Sequence, residues 1–460
     1  MTAPIERSCF WLATAPDAPE RPALRGAARC RIAIVGGGLT GLWAANSLVE
    51  LDPGASVVLL EGERVAYGGS GRNAGMVGET LDHSHALAIQ HFGAAEAGRL
   101  ARIARQNLDD LESFLRREAI DAELERVGQL FVALSEAHLR DAEASLAAAR
   151  QLGIDDWRAL SAAELRAELA SPLYLGGLLA PRAATLHPSK LALGLAVAAE
   201  RHGVRIHESS RVRTLERRGN GMRLATEAGE LVADRVLLAT NAYSHLVLPG
   251  LRHRFLPLYD YIQVSRPLAP AERAALGWRN RQGVTDLRAF FNYYRLTADD
   301  RILWGTSEAV YHRGNYVGPG ADHDDAVYAG LAASFRRHFP QLAEVEFPYR
   351  WGGPIAATTR LTPFCGARYG GRLLYALGYN GHGLGSTRLA GRLLAHLALA
   401  RPSELAGLAL FRNTPLPYPP EPLRSWAVGA VTRALRRVDA GQPPGLLLRL
   451  LDRLGIGFSS

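Results

Sequence analysis

The run Arg31–Ile–Ala–Ile–Val–Gly–Gly–Gly–Leu–Thr–Gly41 constrains this chain more than any other stretch. Ile32, Ile34 and Val35 read as a buried parallel strand, and an apolar helix from Leu42 to Leu51 follows. Between them, Gly36, Gly38 and Gly41 have the spacing of a dinucleotide-binding turn. Each glycine answers a physical need. Gly36 makes the tight turn, Gly38 lets backbone approach a pyrophosphate, and Gly41 packs helix against strand. Leu39 and Thr40 lie between the last two of these glycines, and the N-terminus of the helix that follows offers free N–H groups to phosphate. A second strand, Ser56–Val–Val–Leu–Leu–Glu61, ends on a carboxylate roughly 20–25 residues on, where a ribose partner is expected. The pattern predicts an α/β fold built on a Rossmann-type domain.

Composition bounds the rest. With 460 residues, 48% hydrophobic and 21% charged, the chain is globular and long enough for two domains. The net charge is +8, but the basic residues are scattered, so no nucleic-acid partner is expected. Cys9, Cys30 and Cys365 form no CxxC pair, which suits a reducing cytoplasm. No apolar run approaches the roughly 20 residues of a membrane span. Glu6, Arg7 and the prolines at 16, 19 and 22 break any signal-peptide pattern.

The second strand continues as Glu61–Gly62–Glu–Arg64 and then Tyr67–Gly–Gly69–Ser70–Gly–Arg72–Asn73–Ala74–Gly75. This stretch resembles the flavin-contacting loop of the D-amino acid oxidase-like FAD-dependent oxidoreductases, closest to the branch that contains gamma-glutamylputrescine oxidase. Further motifs agree. Val212 follows a helix-then-strand unit (188–207). Arg235–Val–Leu–Leu–Ala–Thr240–Asn241–Ala–Tyr243 is similar to the family's strand beside the cofactor. Tyr375–Ala–Leu–Gly–Tyr379–Asn–Gly381–His382–Gly383–Leu384–Gly–Ser386 resembles its glycine turn at the pyrimidine end of the flavin. The aromatic segment Cys9–Phe–Trp–Leu12 is similar to an arm of that branch and is expected on the surface. The resemblance covers residues 8–415.

The resemblance implies FAD, held without a covalent bond, and a discontinuous antiparallel-sheet substrate domain, as in glutathione reductase and D-amino acid oxidase-like folds. The expected division is 30–125, 181–250 and 350–400 for the FAD domain and 126–180 and 251–349 for the substrate domain. Residues 401–460 form a helical extension. The residues quoted from the turn, the flavin loop, Val212, Thr240, Asn241 and the 381–386 turn are the expected cofactor contacts. Aromatic strands near 259–265 and 292–297 are expected to roof the flavin, which makes Tyr259, Tyr261 and Tyr294 substrate candidates, with Ile355, Arg360 and Tyr379. No catalytic base stands out, and no metal is expected.

One departure narrows the substrate. Related amino-acid oxidases usually read Trp–x–Gly–x–Arg–Pro–x–Thr where this chain has Trp351–Gly–Gly–Pro–Ile–Ala–Ala–Thr358. By that alignment Ile355 replaces an arginine that grips the substrate carboxylate as a bidentate fork. The implied reaction passes a hydride from an amine C–H to the flavin, and the imine then hydrolyses to a carbonyl and an amine. A gamma-glutamylated polyamine, an N-alkylated amine or an aminophosphonate-like amine would fit, with oxygen or another carrier as electron acceptor. The alternatives are a small amino-acid oxidase of the glycine/sarcosine type, and a flavin-binding docking protein acting through its C-terminal helices. There Trp426, Val431, Leu435, Leu447 and Leu451 need cover. The fold itself or a second subunit is expected to supply it, rather than a membrane.

Overall fold

The structure, a computed structural model, describes residues 4–81 and 84–457; the last residues of the C-terminal extension, 458–460, lie outside them. A sheet of five parallel strands organises the first domain. Its order is Leu373–Leu377, Gly229–Leu238, Gly26–Val35, Val57–Leu60 and Arg205–His207. Phe364–Arg368 adds an antiparallel edge, and the hairpin Thr214–Arg218/Gly221–Ala225 extends Gly229–Leu238.

Side-chain alternation assigns each face of this sheet. Ile32, Ile34, Val57 and Leu59 face the helices Leu39–Leu51, Pro188–Arg201 and Gly383–Ala398. Ala33, Val35, Val58 and Leu60 face the hairpin side. Both faces are covered, so the strands read as continuous apolar runs.

A second sheet has the order Tyr349–Ala357, Leu256–Val264, Ile302–Tyr311, Asn292–Leu296, Gly283–Asp286, Gln129–Ala133, Gly176–Ala180 and Arg158–Ser161. It is not purely antiparallel as expected, because Gly283–Asp286 runs parallel to Gln129–Ala133. The expected domain boundary at 350 also cuts through a strand. Tyr349–Ala357 pairs along its length with Leu256–Val264 and so belongs to this second sheet.

The N-terminal arm is buried rather than laid on the surface. Trp11 is 0% exposed, and Phe10 and Trp11 pack with Ile262, Tyr293 and Trp351 against one end of the second sheet. The C-terminal extension forms the helices Leu423–Asp439 and Leu446–Arg453. Of the five apolar positions expected to be covered there, Leu435 is buried, whereas Trp426 is 66% exposed. Leu448, which the sequence did not single out, is the buried residue of the last helix.

Candidate active site

A cavity of about 1580 Å3 runs from the glycine turn, under the second sheet, to the end of the helix Leu423–Asp439. It exceeds the roughly 300–1,000 Å3 of a site for one small ligand, so it has room for a cofactor and a substrate together.

At the turn, Gly36 sits at φ +111°, and a Cβ on Gly41 would lie 2.0 Å from the Gly36 carbonyl oxygen. Only glycine fits either position. A Cβ on Gly38 would meet the Ser70 hydroxyl at 2.8 Å, so backbone and loop already lie as close as they can. Ser70 Oγ accepts from the Leu39 N–H at 2.8 Å, at the first turn of the helix. Glu61 is held in place by its neighbours: its carboxylate accepts from Gly37 N–H at 2.6 Å and from Glu63 N–H at 2.9 Å. Burial raises the Glu61 pKa, while those two amide donors work against the rise. Val212, Thr240 and Asn241 line the same end of the cavity.

Two tryptophans brace the expected flavin loop from behind. Trp11 Nε1 donates to the Asn73 carbonyl at 2.8 Å, and Trp351 Nε1 to the Arg72 carbonyl at 2.9 Å. The Arg72 guanidinium turns away to Asp322 at 2.8 Å and stacks on the Tyr67 ring. Across the cavity, Gly381, His382, Gly383 and Leu384 present the start of the helix Gly383–Ala398. Thr40 Oγ1 donates to the Tyr379 hydroxyl at 2.8 Å, joining the first helix to that last turn.

Some expected contacts lie off the cavity. Gly41 is spent on helix–strand packing, and Gly75, at φ +70°, offers its carbonyl to Arg295. Ser386 is buried within its helix and donates to the His382 carbonyl. Arg64 is 65% exposed, within 3.9 Å of Glu6. The remaining expected contacts, including Gly62, Gly69 and Ala74, line the cavity. Together with Gly36 and Gly38 they form a strand–turn–helix cradle in which the backbone of the turn leaves a Cβ no room at Gly36, Gly38 and Gly41, which fits a dinucleotide cofactor.

The substrate candidates need a correction. Tyr259, Tyr261 and Tyr294 are fully buried on the opposite face of the second sheet, against the helix Asp325–His338. Tyr259 and Tyr261 bond to the backbone of Gly318 and Ala321, and the Tyr294 hydroxyl to that of Tyr174. Successive strand residues point to opposite faces, so the cavity belongs to their neighbours. Leu258, Asp260, Ile262 and Tyr293 line it. Arg360 lies in the turn beyond Tyr349–Ala357, outside the cavity lining. Ile355 and Tyr379 do line it.

Asp260 is the residue the sequence reading passed over. It stands alone as a carboxylate between two tyrosines in an apolar strand, which was the available signal. Tyr293 donates its phenol to Asp260 Oδ2 at 2.8 Å, and the Tyr261 N–H reaches Oδ1 at 2.9 Å. Its exposed edge opens onto the cavity, and burial on the other sides pushes its pKa up to about 7. The far wall was missed as well. Val438 and Asp439 of the extension line the cavity, and the Asp439 carboxylate caps the N–H groups of Ala289 and Phe290 at 2.7 and 2.9 Å.

Comparison with known proteins places the chain in a family. The FAD dependent oxidoreductase (DAO) profile matches residues 31–397. The chain belongs to that family. It is 31% identical over 411 residues to the gamma-glutamylputrescine oxidoreductase of Escherichia coli, covering 89% of this chain and 93% of that one. It is 30% identical over 385 residues to the probable oxidoreductase OrdL of Haemophilus influenzae, covering 82% and 84%. Among solved structures, glycine oxidase from Geobacillus kaustophilus superposes with a TM-score of 0.70 at 22% identity, over 84% of this chain and 99% of that chain. That likeness shows the fold. The protein is an FAD-dependent oxidoreductase, and the glycine turn, Glu61 and the 69–74 loop are the residues that would hold the cofactor.

No helix among the described residues is long and apolar enough to cross a membrane.

Proposed function

We propose that this enzyme oxidises the C–N bond of a primary or secondary amine that is not a plain α-amino acid, giving an imine that hydrolyses to a carbonyl and an amine. Bound FAD supplies the acceptor for the two electrons. Ile355 carries this reading. It lies on the cavity wall in the strand that forms the edge of the roof, where the resemblance puts a carboxylate-gripping arginine in amino-acid oxidases. An apolar side chain there offers a carboxylate nothing in return for its lost hydration. Similarity to gamma-glutamylputrescine oxidoreductase supports an amine of that kind.

The rest of the lining suits the task. Leu258, Ile262 and Phe291 give an apolar wall for an alkyl chain, and Asp260 gives one buried carboxylate. The C-terminal extension contributes Val438 and Asp439 to the same cavity, which ties it to the site and favours an enzyme over a docking protein.

The test is an anaerobic screen of alkylamines, acylated polyamines and aminophosphonates, read as loss of the flavin's visible absorbance. At least one should bleach it, and heat or acid should release the flavin from the polypeptide. Flavin that stays oxidised with every amine would overturn the assignment.

A further inference from the structure

Asp260 has few partners for a buried carboxylate. One phenol and one amide donate to it, and among the described residues no arginine, lysine or histidine forms an ion pair with it. A buried carboxylate that lacks a cation is costly, and burial resists its ionisation until a cation arrives. It sits in register with Gly353, where a Cβ would lie 3.2 Å from the Arg72 side chain, so it stands on the strand beside the expected flavin loop. A bulge between Tyr259 and Tyr261 leaves residues 307–309 of the neighbouring strand facing it. There Ser307 lines the cavity, and its buried hydroxyl has no hydrogen-bond partner among the described residues. Among the described residues the site therefore holds a carboxylate without a paired cation and, across the bulge, a hydroxyl without a partner, beside the apolar side chains of Leu258, Ile262 and Phe291.

We propose that Asp260, oriented by Tyr293, binds the ammonium group of the substrate in this cavity and takes its proton. The inference rests on the amine-oxidase reading and sharpens it. The substrate enters as a cation recognised by a carboxylate, with no carboxylate of its own beside the reacting nitrogen. The step is a proton transfer: an N–H bond breaks, an O–H bond forms on Asp260, and the electron pair stays on nitrogen. The neutral amine left behind has the lone pair that loss of hydride from the adjacent carbon requires. A carboxyl with a pKa near 7 is matched to this exchange, since it is a strong enough base to compete with a buried amine.

The probe is tert-butylammonium chloride, titrated into the holoenzyme against a sodium chloride control and read by the shift of the flavin spectrum and by calorimetry. It has no hydrogen on the carbon bearing nitrogen, so it binds without being oxidised. It also stays cationic across neutral pH, as a lysine ammonium does. Binding should strengthen about tenfold from pH 6 to pH 8, following ionisation of a carboxyl that titrates at about 7.

In Asp260→Asn that pH dependence should vanish, with affinity at pH 8 down by at least about tenfold. Tyr293→Phe keeps the carboxylate but removes a donor to its charged form, so its midpoint should move to higher pH. This second variant decides the matter should Asp260→Asn fail to load flavin. Wild-type-like, pH-dependent binding in Asp260→Asn, an unmoved midpoint in Tyr293→Phe, or no binding to the wild type would each overturn the proposal. An enzyme that no amine reduces, yet binds this cation through Asp260, would keep the cation site and refute the reaction instead.

Discussion

The phenol of Tyr293 reaches across an intervening strand to donate to Asp260 at 2.8 Å. The two residues lie on Asn292–Leu296 and Leu256–Val264, with Ile302–Tyr311 between them. Gly305 makes that reach possible. It pairs with Tyr293 in the sheet, and a Cβ there would lie 2.2 Å from the tyrosine ring. Gly305→Ala should therefore displace the ring and break the bond while leaving flavin content intact. The midpoint for tert-butylammonium binding should move up as in Tyr293→Phe. An unmoved midpoint would show that the ring accommodates the methyl group.

Asp260 also makes the stability of the flavin-free protein depend on pH. Its carboxyl titrates at about 7 in the fold against about 3.8 in the unfolded chain, so the folded state prefers the protonated form. That contribution is fully present below the unfolded pKa and is lost as pH rises through about 7. Asp260→Asn cannot ionise. Its melting temperature relative to wild type should rise between about pH 4 and pH 8, as thermal scans of both apoproteins would show. A constant difference would contradict the desolvated carboxyl.

The N-terminal arm should matter to the flavin loop as well as to stability. Trp11 is fully buried and holds the Asn73 carbonyl. Trp11→Ala should cost about 3–5 kcal/mol. It should also lower flavin occupancy at fixed FAD concentration, because the loop loses one of its two indole braces. Full occupancy with a lowered melting temperature would limit the arm to packing.

Much of this architecture was readable because backbone chemistry leaves few options. Gly36 at positive φ and Gly41 with no room for a Cβ serve only a tight strand–turn–helix, so that motif announces itself. The roof was readable as strands but not as faces. Tyr259, Tyr261 and Tyr294 look like a binding wall, yet a two-residue period assigns either parity to the core, and sequence alone does not choose. Packing against Asp325–His338 decides it, and that contact joins segments distant in sequence, more than 60 residues apart for Tyr259 and Tyr261. The extension's place on the cavity was hidden for the same reason: Asp439 meets the backbone of Ala289 and Phe290 150 and 149 residues away.

That last contact gives a prediction for the far wall of the cavity. Asp439→Ala removes a carboxylate that caps two amides, which should lower stability by about 1–3 kcal/mol. The loop at 289–290 should loosen, and iodide should quench the flavin's fluorescence more readily than in wild type. Unchanged quenching would mean that the loop holds its position without the cap.

The most direct measurement compares two substrates on one anaerobic sample of the holoenzyme. Flavin reduction is followed with the most effective amine of the screen and with glycine at matched concentrations. Without an arginine at position 355, carboxylate recognition should be weaker by about 2–3 kcal/mol, or about a hundredfold, so the amine should reduce the flavin faster than glycine does. Glycine reducing it as fast as the best amine tested would contradict the reading of Ile355, and with it the proposed substrate class.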